Sequence, residues 1–185
     1  MIDPNNITRY DLSDYELEEI ILFWVLAAGK KATTASLSLD KFLDNKSIKP
    51  FELIKLKGLI DLPFLMKSCG IGCFNNKSIT FWQLANSNLD LRSCTAEDLE
   101  KIKGIGMKTS RCFIIHSRQN ARYAGLDTHV LKYLSSLGYN VPKSTPNGKK
   151  YLEIEEIFLQ LAEKSGKTIA EFDLEIWRSY SNKII

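Results

Sequence analysis

Apolar residues recur at intervals of three and four along most of the chain, which is the spacing of amphipathic helices. Alternating patterns typical of strands are scarce. Helices are predicted over the segments 14–28, 33–43, 76–86, 128–136 and 152–161, with a last helix from 168 to about 180. The pattern therefore predicts an all-α protein of roughly ten short helices.

Capping residues mark several of the predicted helix starts. A capping box pairs an N-cap hydroxyl with a carboxylate three residues later. The sequence has this spacing at Ser13–Glu16, Thr95–Asp98 and Thr168–Glu171. The apolar segment from Pro50 to Met66 is interrupted by Gly58 and Pro63, which indicates short helices joined by turns.

The composition is that of an ordinary globular protein, with 44% apolar and 25% charged residues, and excludes a disordered or collagen-like chain. The longest apolar run, 20–28, is too short to cross a bilayer. No basic segment followed by an apolar one opens the chain, so no secretory signal is predicted. We expect a cytoplasmic protein with no membrane partner.

Net charge and cysteine content add little that is specific. A net charge of +3 is compatible with a nucleic-acid partner but does not require one. The four cysteines, expected to be free thiols in a reducing compartment, are Cys69, Cys73, Cys94 and Cys112. Only Cys69 and Cys73 lie close in sequence, and without a second close pair a zinc or iron–sulfur site is disfavoured.

The most informative segment is G-I-G-M-K-T at 104–109. One helix is predicted to end at Lys103 and another to begin near Met107. The two glycines, Gly104 and Gly106, permit a tight turn and a close approach of a large ligand to the backbone. The unpaired amides at the start of the second helix favour an anion such as a phosphate.

Basic residues surround this turn, at Lys101, Lys103, Lys108 and Arg111. They favour the phosphate backbone of a nucleic acid as the ligand, and Ile102 and Ile105 are predicted to anchor the turn in the core. From this segment alone an ordinary helix–helix turn remains an alternative. A dinucleotide-binding loop lacks its preceding strand and third glycine, and the glycine spacing excludes a Walker loop.

Lys108 and Asp127 are the candidate catalytic residues. Lys108 lies in the first turn of its helix, where the helix dipole disfavours a cation. Such a lysine suits phosphate binding or, because a neutral amine is nucleophilic, catalysis. Asp127 is predicted to cap the next helix. If it also faces a cleft beside Lys108, it could accept a proton or stabilise a cationic sugar. His129 is interpreted as a structural histidine.

Together, the two motifs resemble the helix-hairpin-helix DNA glycosylases, the superfamily that includes endonuclease III. The segment 104–109 followed by D-T-H at 127–129 matches both halves of the superfamily signature at its spacing. The segments 149–155, 171–177 and 23–39 resemble more narrowly the type-2 8-oxoguanine DNA glycosylases. The likeness covers most of the chain and is densest in its second half.

The resemblance implies an all-α fold of two lobes with a DNA-binding cleft between them. A helical lobe carrying the hairpin is expected over 33–115, and a second lobe from 1–32 plus 116–185. The implied partner is damaged double-stranded DNA, bound by a monomer in the cytoplasm at the nucleoid.

The resemblance also implies the chemistry of a bifunctional glycosylase and AP lyase. Lys108 would attack the sugar C1′ and expel 8-oxoguanine, forming a Schiff base that leads to β-elimination, with Asp127 activating the lysine. Asp173 and Trp177 would form the base pocket. The residues implied in DNA contact are Gly104, Ile105, Gly106, Met107, Thr109 and Lys30.

The resemblance also has implications for metal content. The backbone carbonyls of Glu100, Ile102 and Ile105 would hold a monovalent cation. No cysteine follows Cys112, so no iron–sulfur cluster is expected.

Two departures from the family pattern affect its interaction with DNA. The chain ends in Lys183-Ile184-Ile185, without the terminal lysine by which archaeal relatives tell 8-oxoguanine from guanine. The loop near Lys30 lacks the usual amide or aromatic side chain that fills the gap left in DNA. The same chemistry on another oxidised base or an abasic site, or a non-catalytic DNA-binding module, remains an alternative.

Overall fold

A computed structural model describes residues 1–44 and 47–181 of the chain. A 3₁₀ turn at Pro4–Asn6 precedes nine α-helices, which are α1 (Asp14–Ala27), α2 (Ala32–Phe42), α3 (Pro50–Ser68), α4 (Phe74–Asn86), α5 (Ala96–Glu100), α6 (Met107–Ser117), α7 (Thr128–Ser136), α8 (Gly148–Ser165) and α9 (Ile169–Ser181). Within those two ranges there is no strand. The predicted all-α class is confirmed, while the unusual C-terminus at 183–185 lies outside the described residues.

The three predicted capping boxes are present. In the box that opens α5, the Thr95 hydroxyl accepts the amide of Asp98, whose carboxylate in turn accepts the Thr95 amide. The helix then ends at Glu100, three residues before the predicted end at Lys103. The Ile102 amide donates to the Leu99 carbonyl at 3.0 Å, so the chain tightens into a turn before it reaches the first glycine of the hairpin.

The prediction for 50–66 is right at one of its two breaks. Gly58 has φ +66° and ψ 166°, which divides α3 into two helical segments. Pro63 does not interrupt the helix. It lies five residues after Gly58, inside the second helical segment, which continues to Ser68.

Buried apolar side chains form two clusters. The first contains residues from each of the six helices α1 through α6, and the second contains residues from α7, α8 and α9. The two meet at α6, which is buried along most of its length, and at α9, whose Leu174 lies in the first cluster and whose Phe172 and Ile176 lie in the second. The division into lobes at 33–115 and 1–32 plus 116–185 stays a prediction, since two apolar clusters do not by themselves define lobe boundaries.

No helix in the described part of the chain is both long and apolar enough to span a membrane.

Candidate active site

A cleft of about 720 Å³ opens where the two apolar clusters meet. Its walls come from the N-terminal segment, the α1–α2 connection, α6, the start of α7 and α9. Residues far apart in sequence therefore line one space, and Lys108, Asp127, Asp173 and Trp177 are all among them.

The hairpin between α5 and α6 is fixed against α4. The Thr80 hydroxyl donates to the Lys103 carbonyl at 2.7 Å, and the Gln83 side chain accepts the Lys103 amide at 2.9 Å. Gly104 has φ +92°, and a methyl group there would overlap the Thr80 hydroxyl. Ile105 is buried in the first apolar cluster. The turn is therefore anchored in the core, as predicted from Ile102 and Ile105.

The start of α6 suits an anion. Gly106 is the N-cap and supplies no side-chain acceptor, so the first-turn amides are not capped by the helix itself. A side chain on Gly106 would meet no atom within 4 Å, and the residue is exposed. Met107 packs against the second cluster, while Thr109 is buried and lines the cleft.

Arg111 is less available to a ligand than the sequence suggested. It is buried, with 2% of its surface exposed, and pairs with the carboxylates of Glu100 and Glu155. Lys101 pairs with Asp98 at 2.8 Å but stays 74% exposed, and Lys103 is exposed as well. The prediction that Arg111 contributes positive charge to the anion site is wrong, because the side chain points into the protein.

Lys108 lies half-buried in the cleft, above an aromatic ring. Its Nζ is 5.0 Å from the ring centroid of Trp24, which comes from α1. The ring of His116 also stacks on Trp24, with 5.4 Å between the ring centroids and an interplanar angle of 14°. Sequence reasoning missed both rings, since Trp24 sits inside an ordinary apolar run and His116 near the end of an apolar helix.

Asp127 caps α7, as predicted. Its Oδ1 accepts the amides of His129 at 2.8 Å and Val130 at 2.9 Å. Burial raises the pKa of the carboxyl group, as does the nearby Asp173 carboxylate, while Lys108 and the capping amides act in the opposite direction. The cap thus places a carboxyl group with a raised pKa close to the lysine amine.

Asp173 and Trp177 lie one turn apart on α9, and both line the cleft. Asp173 is buried, and its Oδ2 lies 3.2 Å from Nε2 of His116. Trp177 is half-buried and also packs against the first apolar cluster. The tryptophan is therefore both a core residue and a wall of the cleft.

Three further residues line the cleft, and the sequence did not assign any of them to the site. Cys112 follows Lys108 by one helical turn, and burial raises the pKa of its thiol to about 12, so it does not compete as a nucleophile near neutral pH. A methyl group on Gly125 would overlap the Cys112 sulfur. His129 lines the cleft, and its Nδ1 is enclosed without a hydrogen-bond partner among the described residues.

Lys30 and the carbonyls predicted to hold a cation are the remaining predicted ligand sites. Lys30 is exposed in the α1–α2 connection, and its side chain lies against Gly72. Of the carbonyls proposed for a cation, that of Ile102 already accepts the Ile105 amide at 3.1 Å. A carbonyl oxygen has two lone pairs, so the Ile102 oxygen retains one for an ion.

Comparison with known proteins gives the family. The family model described as 8-oxoguanine DNA glycosylase matches residues 73–167, more than half of the chain. A protein of Picrophilus torridus named 8-oxoguanine DNA glycosylase/AP lyase is 32% identical over 87 residues, which cover 47% of this chain and 41% of that protein. A protein of Methanocaldococcus jannaschii with the same name is 35% identical over 92 residues, covering 47% and 42%. The matched segments thus span about two fifths of these relatives' length.

Solved structures share the fold. The M. jannaschii 8-oxoguanine glycosylase/lyase, in complex with a 15mer DNA containing 8-oxoguanine, has a TM-score of 0.75 at 22% identity, over 95% of this chain and 85% of that one. The 8-oxoguanine DNA glycosylase of Thermotoga maritima has a TM-score of 0.71 at 22% identity, over 93% and 83%. By the match of its hairpin and Asp127 segments to the family model, this chain belongs to the 8-oxoguanine DNA glycosylase family.

Proposed function

We propose that this protein is a bifunctional DNA glycosylase and AP lyase that removes 8-oxoguanine from double-stranded DNA. The observation that carries the proposal is the presence of the Lys108 amine and the Asp127 carboxyl group in one cleft, directly after a hairpin built for a phosphate. The names of the relatives support the same lesion and the same two activities.

DNA binding begins at the hairpin. The uncapped amides of α6 receive a backbone phosphate, and Gly106 lets the DNA approach the turn. The damaged nucleotide then leaves the duplex, at an unstacking cost of a few kcal/mol. In the cleft its base stacks on Trp177, and Asp173 offers an acceptor to the N–H groups of its edge.

The chemistry follows from the Lys108–Asp127 pair. Asp127 accepts a proton from the Lys108 ammonium group, and because burial raises its pKa the carboxylate is a stronger base than an exposed aspartate. The neutral amine attacks C1′ as the bond to the base breaks, and the departing base takes the electron pair of that bond and the proton that Asp127 holds. The lysine nitrogen, now bonded to C1′, passes a proton to the ring oxygen as the bond from C1′ to that oxygen breaks, which leaves a protonated imine. Asp127 then takes a proton from C2′, a double bond forms between C2′ and C3′, and the phosphate leaves C3′ with the electron pair of the broken bond.

A monovalent cation at the hairpin belongs to the proposal. The carbonyl oxygens of Glu100, Ile102 and Ile105 are hard donors of the kind that alkali ions prefer, and they lie beside the amides that meet the phosphate. A cation held there would add positive charge next to that phosphate. We also propose that the protein acts as a monomer in the cytoplasm, where it meets the nucleoid.

A panel of duplexes tests the substrate. Single 8-oxoguanine, oxidised pyrimidine, undamaged guanine and abasic duplexes are incubated with enzyme in excess, and strand cleavage is followed with time. The proposal predicts fastest base removal from 8-oxoguanine and cleavage of the abasic duplex. Preference for an oxidised pyrimidine would agree with the proposed reaction but contradict 8-oxoguanine as the preferred substrate. Binding without cleavage of any duplex would favour a non-catalytic DNA-binding module.

A further inference from the structure

One buried imidazole beside the cleft has no part in the chemistry above. His116, on α6, is 1% exposed. Its Nε2 lies 3.2 Å from Oδ2 of Asp173, and its Nδ1 lies 2.7 Å from the hydroxyl of Thr8. Both ring nitrogens are thus paired, and the ring face stacks on Trp24. The imidazole is held on three sides by groups from the N-terminal segment, α1 and α9.

The two hydrogen bonds indicate which ring nitrogen of His116 carries the proton. A carboxylate only accepts hydrogen bonds, whereas a threonine hydroxyl either donates or accepts. In a neutral imidazole, the proton therefore sits on Nε2, which donates to Asp173, and the Thr8 hydroxyl donates to Nδ1. This arrangement satisfies every polar atom of the chain from Thr8 through His116 to the carboxylate.

The contact fixes which oxygen of Asp173 is offered to a ligand. Oδ2 is occupied by His116, whereas Oδ1 faces the cleft wall at Gly125, 3.8 Å from the position that a methyl group there would take. Without the imidazole, rotation about the bond to the carboxyl group would exchange the two oxygens or let them turn away. A purine edge with N–H donors needs an acceptor at one defined place.

We propose that His116 is a positioning residue for base recognition, holding Asp173 so that Oδ1 accepts a hydrogen bond from the edge of the extruded purine. The inference rests on the proposed function. It separates the two activities of the enzyme. An abasic site has no base to recognise, so cleavage of abasic DNA needs Lys108 and Asp127 but not the hydrogen bond from His116 to Asp173.

Two variants of similar size test the contact. In His116→Gln, the side-chain amide nitrogen reaches about as far as Nε2 and still donates to Asp173. In His116→Asn, the amide reaches only about as far as Nδ1. Under single-turnover conditions, we expect the Asn variant to remove 8-oxoguanine about tenfold more slowly than wild type and the Gln variant to stay within about threefold. Both variants should cleave abasic duplex at close to the wild-type rate.

A double-mutant cycle identifies the partner. If His116 acts through Asp173, then His116→Asn combined with Asp173→Asn removes 8-oxoguanine no more slowly than Asp173→Asn alone. Equal loss of excision and abasic cleavage, additive effects in the cycle, or a Gln variant as slow as the Asn variant would overturn the proposal. If the wild-type protein does not remove 8-oxoguanine, the result would instead contradict the proposed function.

Thr8→Val provides a second route if the His116→Asn protein does not fold. Loss of the hydroxyl removes one of the two hydrogen bonds that orient the imidazole, so excision should slow relative to abasic cleavage. In the wild-type protein, ¹⁵N NMR of the imidazole should show the proton on Nε2. A proton on Nδ1 would contradict the assigned direction whatever the variants do.

Discussion

Asp127 has to satisfy two requirements that favour different states of its carboxyl group. As the cap of α7 it stabilises the fold through two amide hydrogen bonds, while its position in the cleft buries the carboxyl group beside Asp173. Burial raises its pKa, so the charged form that catalysis needs is the form that the folded protein disfavours. Functional sites commonly carry such a conflict between stability and chemistry.

Replacement of Asp127 by Asn is expected to raise stability and abolish most activity. The pKa of the folded carboxyl group lies above its ordinary value of 3.8, so the folded state holds the proton more tightly than the unfolded chain. Wild-type stability therefore falls as the pH rises from about pH 4 through the folded pKa. Asn caps equally well and carries no charge, so Asp127→Asn should become the more stable protein across that window and remain so at neutral pH.

Urea denaturation of both proteins at several pH values measures this difference. Base excision by Asp127→Asn should fall by about 10² to 10⁴-fold, as expected for loss of a general base. Asp127→Ala is the matched control, because loss of the cap costs it about 1 kcal/mol. A stability difference between wild type and the Asn variant that does not change with pH would contradict the raised pKa.

Among the structural elements, the hairpin between α5 and α6 contains two glycines with different roles. Gly104 needs its positive φ and its lack of a side chain to pack on Thr80, whereas Gly106 is exposed and has open space around it. The first glycine thus serves the fold, and the second serves the approach of DNA.

Gly104→Ala and Gly106→Ala form a matched pair. The first should lower the free energy of unfolding by about 1 to 3 kcal/mol, because a side chain is strained at that φ and meets the Thr80 hydroxyl. The second should cost less than about 1 kcal/mol, the loss expected when alanine replaces a glycine N-cap, but weaken DNA binding. Thermal melting and fluorescence-anisotropy titration separate the two effects. A Gly106→Ala protein that binds DNA like wild type would show that the backbone of the turn does not approach a phosphate.

Local features of the sequence predicted local features of the structure. The capping boxes, the hairpin turn and the Asp127 cap each depend on residues within a few positions of one another. Contacts between distant elements were not predictable in this way. The ion pairs that bury Arg111 join α5, α6 and α8, and the stacking of Trp24 joins α1 to α6. A linear pattern contains no signal for either, since both depend on how the helices pack.

At the scale of the whole molecule, the net charge of +3 is too small to account for DNA binding by overall attraction. Binding must depend on where the charges lie around the cleft. Lys30 and Lys108 line it, whereas Arg111 is buried in ion pairs with Glu100 and Glu155. The number of cations that meet phosphates sets the salt dependence of the affinity.

Lys30→Gln is expected to weaken binding to undamaged duplex and to reduce the slope of log K against log salt by about 1. Lys41→Gln is the control, since Lys41 is exposed on α2 but does not line the cleft. Titrations at several salt concentrations give both slopes. Equal slopes for Lys30→Gln and wild type would remove Lys30 from the DNA interface.

The proposed mechanism requires Lys108 to attack the sugar and form a covalent intermediate. Borohydride reduces such an imine to a stable link between protein and DNA, so trapping on a duplex with a single 8-oxoguanine detects the intermediate itself. We predict a covalent adduct with wild type and none with Lys108→Gln, on both the 8-oxoguanine and the abasic duplex. An adduct of undiminished yield with Lys108→Gln, or none with wild type while DNA binding is intact, would contradict the account.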